Sequence, residues 1–213
     1  MATGGIVAPW IWTAVVLVLT VLEYDTLTGF GWTLLSSNNV NYPSSLALGQ
    51  FGVAQIANFG LCGILLIGLA VALYRSVRAR WTARIAPVLM GISGFGFLMS
   101  VFPTDHGPRN APETWHGDIH IAGFVVFLFP LVLSMFFLAL SVRGDPRWRG
   151  YVWLGPVVGA LALISFIGLA GVMPASVDQI PFYLTLLVLF VGVTVVARRV
   201  RYLADVTQPQ AKL

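Results

Sequence analysis

Six runs of mostly apolar residues, each near the length that crosses a bilayer, leave this chain few folds to choose from. They cover residues 6–24, a segment that begins between 46 and 53 and ends at 74, and residues 85–102, 119–140, 151–173 and 182–197. A hydrocarbon core about 30 Å thick takes roughly 20 residues of helix. Lipid offers the backbone no water, so each run must satisfy its N–H and C=O groups internally, as a helix does. The expectation is an all-α integral membrane protein. It is a bundle of six transmembrane helices forming one domain over residues 1–200, with a short cytoplasmic tail at 201–213. Composition agrees: 58% of residues are hydrophobic and 9% charged, where a soluble domain carries about 25% charged residues. The amino-terminal MATGG has no basic stretch, and no small-residue cleavage site follows the first run. That run therefore reads as a retained span rather than a signal peptide.

Orientation follows from where the cations fall. Arg75, Arg78, Arg80 and Arg84 lie between the second and third runs, and Arg143, Arg147 and Arg149 between the fourth and fifth. Arg198, Arg199, Arg201 and Lys212 follow the sixth. All twelve basic residues except Arg109 thus fall on one side, and cation-rich loops stay cytoplasmic. Both termini are expected inside, in the plasma (inner) membrane. Glu23, Asp25, Asp105, Glu113, Asp118 and Asp178 fall on the opposite side with Arg109. The formal net charge of +4 therefore reports topology, and no nucleic-acid partner is implied. The arginines read as stop-transfer charges and anionic-lipid contacts. The single cysteine, Cys62, lies inside an apolar run and reads as a small packing residue.

The outer side concentrates its chemistry in FPTDHGPRNAPETWHGDIHIAGF, residues 102–124, which holds all three histidines. His116 and His120 are four apart, a spacing that puts both on one face of a helix. Two imidazoles so placed can hold one ion. Asp105 is the best third ligand and His106 a fourth. Zinc or another divalent metal suits such nitrogen and oxygen donors and could activate a water for hydrolysis. The competing account is a hydrogen-bonded cap. Thr114 or Asp118 then satisfies the amides at the start of the fourth span, and His120 bonds a neighbouring helix. A third account is acid–base chemistry or ligand binding without metal, with His120 as general base, Asp105 its partner and Asn58 positioning a substrate.

Depth selects the other candidates. His120 lies about one turn inside its span, and Asn58 about 24 Å from the inner end of the second. Gln55 is one turn further out, and Glu23 ends the first span at a similar level. Polar groups at this depth usually face the bundle interior. Glu23, Gln55, Asn58 and Thr114 are therefore candidate ligand-binding residues around an outward-opening pocket with Asp105 and His120. Ser93, within GISGFG, is not paired with His120. It sits about 15 Å below the outer end, whereas a nucleophile and its base must come within hydrogen-bond reach. Haem is disfavoured too, because two histidines on one helix cannot approach an iron from opposite faces. The longest connection, residues 25–45, is rich in turn formers but carries Phe30, Trp32, Leu34 and Leu35. It reads either as a short amphipathic lid on the interface or as a belt anchor only, with Trp32 and Trp115 in the aromatic belt.

This layout resembles the membrane family catalogued as domain of unknown function 998, found in bacteria and archaea. The resemblance rests on Asn58 in IANFG entering the second span, and on Phe102, Pro103 and Asp105 ending the third. Thr114, Gly117 and His120 in TWHGDIHIAG open the fourth. It covers roughly residues 6–200. The family's arginine near the end of the fifth outer segment is missing from GLAGVMPASVDQIPFY, and His106 and His116 lie outside the family pattern. The resemblance implies a six-span topology and no particular activity. The functional expectation is a protein with an outward-facing polar pocket that binds a lipid-like or small polar ligand, or that serves as an accessory membrane subunit. An integral-membrane hydrolase or transferase acting on a lipid-like substrate is the alternative, and a transporter the second. Membrane lipids are the expected partners, with a membrane-protein partner or a second copy of the chain also open.

Overall fold

The computed structural model describes residues 1–29, 31–33, 35, 43–105, 114–169, 172–174, 176–177 and 179–207. Among these residues every regular element is helical. The long helices are α1 (Ala2–Leu22), α3 (Gly52–Ser76), α4 (Trp81–Met99), α5 (Trp115–Val142) and α7 (Ile180–Thr207). All five are long and apolar enough to cross a membrane. A short helix, α2 (Tyr24–Gly29), follows α1, and a 3-10 turn, Ser44–Leu48, precedes α3.

The fifth apolar run differs from expectation. Its helix, α6 (Leu154–Leu163), continues as a wider π turn over Ile164–Leu169, which makes one apolar element, Leu154–Leu169. Sixteen residues rise about 24 Å, short of a hydrocarbon core of about 30 Å. At its start, Gly150 takes φ +88° and Leu154 donates to the Tyr151 carbonyl, so residues 150–153 are spent on turns. At the far end the chain has left the helix before Pro174, whose ring disfavours helical backbone in the residue preceding it.

Consecutive helices run antiparallel around a closed ring. Helix α3 packs on α1 and α4, α5 on α4 and α6, and α7 on α6 and back on α1. The closing contact stacks Trp12 edge-on to Phe190, with centroids 5.3 Å apart. Association of helices in lipid depends on close packing rather than on water exclusion, and small residues make that packing here. A Cβ on Gly96 would lie 2.2 Å from the Phe127 backbone nitrogen, and one on Gly63 would lie 2.8 Å from the Gly94 carbonyl. Hydroxyls inside the spans are satisfied by carbonyls: Ser93 donates to Phe127 at 2.7 Å and Ser134 to Ala86 at 2.8 Å. The outward faces are apolar. Val21 is 77% exposed and Val53 78%, with Leu17, Ile64, Phe95 and Leu187 also open. A helix apolar on both its faces is suited to hydrocarbon outside and a packed core inside.

The two ends of the ring differ in charge. At one end Arg80 donates to the Leu140 and Arg143 carbonyls, Arg147 to the Ser76 carbonyl at 3.0 Å, and Arg199 to the Arg147 carbonyl. Asp145 sits among them, 2.7 Å from Arg147 and 4.0 Å from Arg78. The other end carries Glu23, Ser44, Asp105, Thr114, His116 and His120. The division of charge expected from sequence is thus a spatial one. The expectation for Trp32 is corrected: it is 3% exposed, not a belt residue, with its backbone N–H on the Leu27 carbonyl and its ring against Tyr24. Trp115 remains 66% exposed. Phe30 and Leu34 lie outside the described residues.

Candidate functional site

At the arginine-poor end the polar side chains form four separate sets, not one. The first ties α1 to α3. Glu23 follows the last turn of α1 and is 1% exposed. Its carboxylate accepts the backbone N–H groups of Gln50, at 3.2 Å, and Phe51, at 2.5 Å. These groups precede the first turn of α3, where amides lack helical partners and negative charge is favoured. Glu23 is therefore a clamp at a helix start.

The second set is a buried chain between the same helices. Asn58 donates to the Trp12 carbonyl, at 3.3 Å, and to Gln55 Oε1, at 3.2 Å. Cys62 donates from Sγ to Asn58 Oδ1 and to the Ala8 carbonyl. Gln55 is fully buried and its Nε2 has no hydrogen-bond partner among the described residues. Asn58 thus joins α3 to α1 with Gln55 as its partner inside α3, and neither lines the cavity beside His120.

The third set starts α5. The Asp105 carboxylate accepts the Thr114 backbone N–H at 3.1 Å and the Thr114 hydroxyl. Thr114 Oγ1 in turn accepts the Gly117 N–H at 3.2 Å, an N-cap at the first turn. His116 Nδ1 lies 2.9 Å from Thr114 Oγ1, 3.2 Å from the Pro103 carbonyl and 3.8 Å from Asp105 Oδ1. Helix α5 begins at Trp115, so His116 falls in its first turn. The capping account of Thr114 is the one this geometry supports.

His120 is 4% exposed and stands apart from Asp105's hydrogen bonds. Its Nδ1 is 2.6 Å from the Phe102 carbonyl and its Nε2 is 2.8 Å from Ser44 Oγ. A carbonyl only accepts, so Nδ1 carries the proton. Neutral imidazole then presents a lone pair at Nε2 to the Ser44 hydroxyl. The edge of the ring faces Phe59, with centroids 5.7 Å apart. Among the described residues no three His, Cys, Asp or Glu side chains come together as a metal site. His106, the fourth expected ligand, lies outside the described residues.

Ser44 and His120 line a cavity of about 330 Å³ with Gln179 and the apolar Pro43, Ile121, Phe124 and Phe182. Gln179 is 9% exposed. Its backbone N–H bonds the Leu35 carbonyl at 2.9 Å, which ties the segment before α7 to the first loop. Its side-chain amide forms no hydrogen bond among the described residues and is available to the cavity. A small inner recess reaches from Ser44 and His120 to Trp12, whose buried indole N–H also lacks a hydrogen-bond partner among the described residues. Pro43 further borders an apolar groove of about 260 Å³ between α1 and α7, lined by Trp10, Val16, Leu17, Leu186 and Leu187 among others.

Sequence reasoning found His120 but missed Ser44 and Gln179. Ser44 is 76 residues from His120, in a turn-rich loop, and no spacing rule joins them. Pro43, which starts the turn bearing Ser44, was the one local signal.

Helices of this kind around a small polar site define an all-helical, membrane-embedded protein. The family model described as protein of unknown function (DUF998) matches residues 6–199, and the chain belongs to that family. Neither a curated protein nor a solved structure matches it.

Proposed function

We propose that this protein binds a lipid-like amphiphile at the cavity beside Ser44, His120 and Gln179. The observation that carries this reading is a polar-to-apolar gradient in one place. Three hydrogen-bonding side chains line a cavity of about 330 Å³, and across Pro43 an apolar groove of about 260 Å³ runs between α1 and α7. Ligand sites are commonly apolar clefts with a few convergent polar groups. An ester or amide carbonyl would meet the Gln179 amide donor while its chain lay in the groove. The same reading takes Leu154–Leu169 as a sixth crossing through locally thinned bilayer. Both termini are then cytoplasmic, and the cavity opens toward the outer leaflet of the plasma membrane.

The test is lipid retention. The protein is purified in mild detergent and the co-purifying lipid quantified by mass spectrometry for the parent, Ile121→Trp and Leu187→Trp. Both sites are more than half exposed on the helix outside, so an indole there fills cavity or groove rather than core. Stoichiometric lipid in the parent and its loss in both variants is the expected result. Equal retention by all three would sink the proposal.

A further inference from the structure

We propose that Ser44 and His120 act as nucleophile and general base in hydrolysing a carboxylic ester of an amphiphile, an activity that rests on the lipid-binding reading of the same cavity. Activated serine needs a base within hydrogen-bond reach and a third group that orients the base. All three are present. Ser44 Oγ is 2.8 Å from His120 Nε2, and the Phe102 carbonyl holds Nδ1–H at 2.6 Å on the other side of the ring. That carbonyl fixes the tautomer that leaves Nε2 able to take a proton, the role a buried carboxylate plays in the serine–histidine–aspartate arrangement. Ser44 is half-buried, at the start of its turn and at the cavity wall, while His120 is buried behind it. The nucleophile is therefore reachable and the base shielded. The Gln179 amide, nine-tenths buried and without a hydrogen bond among the described residues, supplies the donor an oxyanion requires.

Two other serines inside the ring, Ser93 and Ser134, do not fit. Ser93 and Ser134 spend their hydroxyl protons on the Phe127 and Ala86 carbonyls, within the core. Ser44 instead gives its proton to an imidazole beside a cavity. The chemistry balances with water as the second reactant. Ser44 Oγ bonds to the ester carbonyl carbon as its proton moves to His120 Nε2, and the carbonyl oxygen, now negative, takes the Gln179 N–H. Collapse breaks the ester C–O bond, and the departing alcohol oxygen takes the proton from Nε2. A water then attacks acyl-Ser44, giving its proton to Nε2 and onward to Ser44 Oγ. The products are a carboxylic acid and an alcohol, with both side chains restored.

A serine-directed alkyl fluorophosphonate on the full chain in lipid nanodiscs tests this. Covalent labelling mapped to Ser44 by peptide mass spectrometry is the expected result. Ser44→Ala should abolish it, His120→Asn should slow it by about 100-fold or more, and Gln179→Leu by about 100-fold. Turnover of a medium-chain 4-methylumbelliferyl ester should vanish in Ser44→Ala. Ser44→Ala and Gln179→Leu change only the cavity wall, so the test holds even if His120→Asn fails to fold. Two results overturn the dyad: Ser44 unmodified in monodisperse protein after prolonged exposure, or labelling equally fast without His120. If the parent then still carries lipid that Ile121→Trp loses, lipid binding stands and only the hydrolysis is wrong. If Ile121→Trp keeps its lipid, the binding reading itself fails.

Discussion

Gly117 and Asp105 are in direct contact: a Cβ on the glycine would lie 1.9 Å from Asp105 Oδ2. The carboxylate occupies the space a side chain would need, and from there it takes the Thr114 N–H. Gly117→Ala should displace Asp105 and loosen the start of α5, costing about 1–3 kcal/mol through overpacking and a lost cap. Thermal unfolding in detergent checks this. A melting temperature equal to the parent's would mean that Asp105 does not hold the helix start.

Glu23 joins α1 to α3 through two backbone N–H groups. Glu23→Ala leaves both donors without their anion and should cost about 2–4 kcal/mol, since hydrogen bonds to charged groups contribute about 1.5–3 kcal/mol each. Glu23→Gln keeps one acceptor oxygen and should lose less. The same melting experiment ranks the two, and an equal loss would show that the negative charge itself is the main contribution.

Asp145 gives the arginine-rich end a pH dependence. The Arg147 guanidinium, hydrogen-bonded to it, holds its carboxyl below the ordinary value of 3.8, with Arg78 adding to the effect. A carboxyl whose pKa is depressed in the fold stabilises above its unfolded value and loses that stabilisation as pH falls through the folded one. The melting temperature should therefore drop as pH falls below about 4, and less steeply in Asp145→Asn. Parallel curves for parent and variant would remove Asp145 as the cause.

Two glycines should respond in opposite directions. A Cβ on Gly96 meets the Phe127 backbone at 2.2 Å, and backbone cannot step aside. Gly96→Ala should open the α4–α5 interface and cost about 1–3 kcal/mol or more. Gly68, in α3, has nothing within 4 Å of such an atom, so Gly68→Ala should be neutral or gain up to about 1 kcal/mol from helix propensity. Denaturant titration of the two variants beside the parent separates packing glycines from tolerated ones.

The candidate site was partly legible. His120 stood out because a titratable ring one turn inside an apolar run is costly unless it has partners. Thr114 was legible as a cap because a hydroxyl three residues before a backbone N–H is a local pattern. Asp105, Glu23 and Asn58 lie toward one end, yet depth could not say that Glu23 and Asn58 would spend their hydrogen bonds tying α1 to α3 and Asp105 its own at the start of α5. Trp32 was misplaced because a tryptophan in a loop looks the same in sequence whether its ring meets lipid or Tyr24.

What the sequence determined by itself is whatever follows from solvent and chain alone: helices where the apolar runs are, cations gathered at one end, and a shared polar level at the other. Those depend on properties summed over twenty residues. The tertiary structure decided which polar groups meet. Ser44 reaches His120 across 76 residues, and Gln179 comes to the same cavity from the segment before α7. That convergence depends on ring closure between α1 and α7, on glycines that leave no room for a Cβ, and on the hydrogen bond from Gln179 to Leu35 in the first loop. No periodicity along the chain encodes distances of that kind.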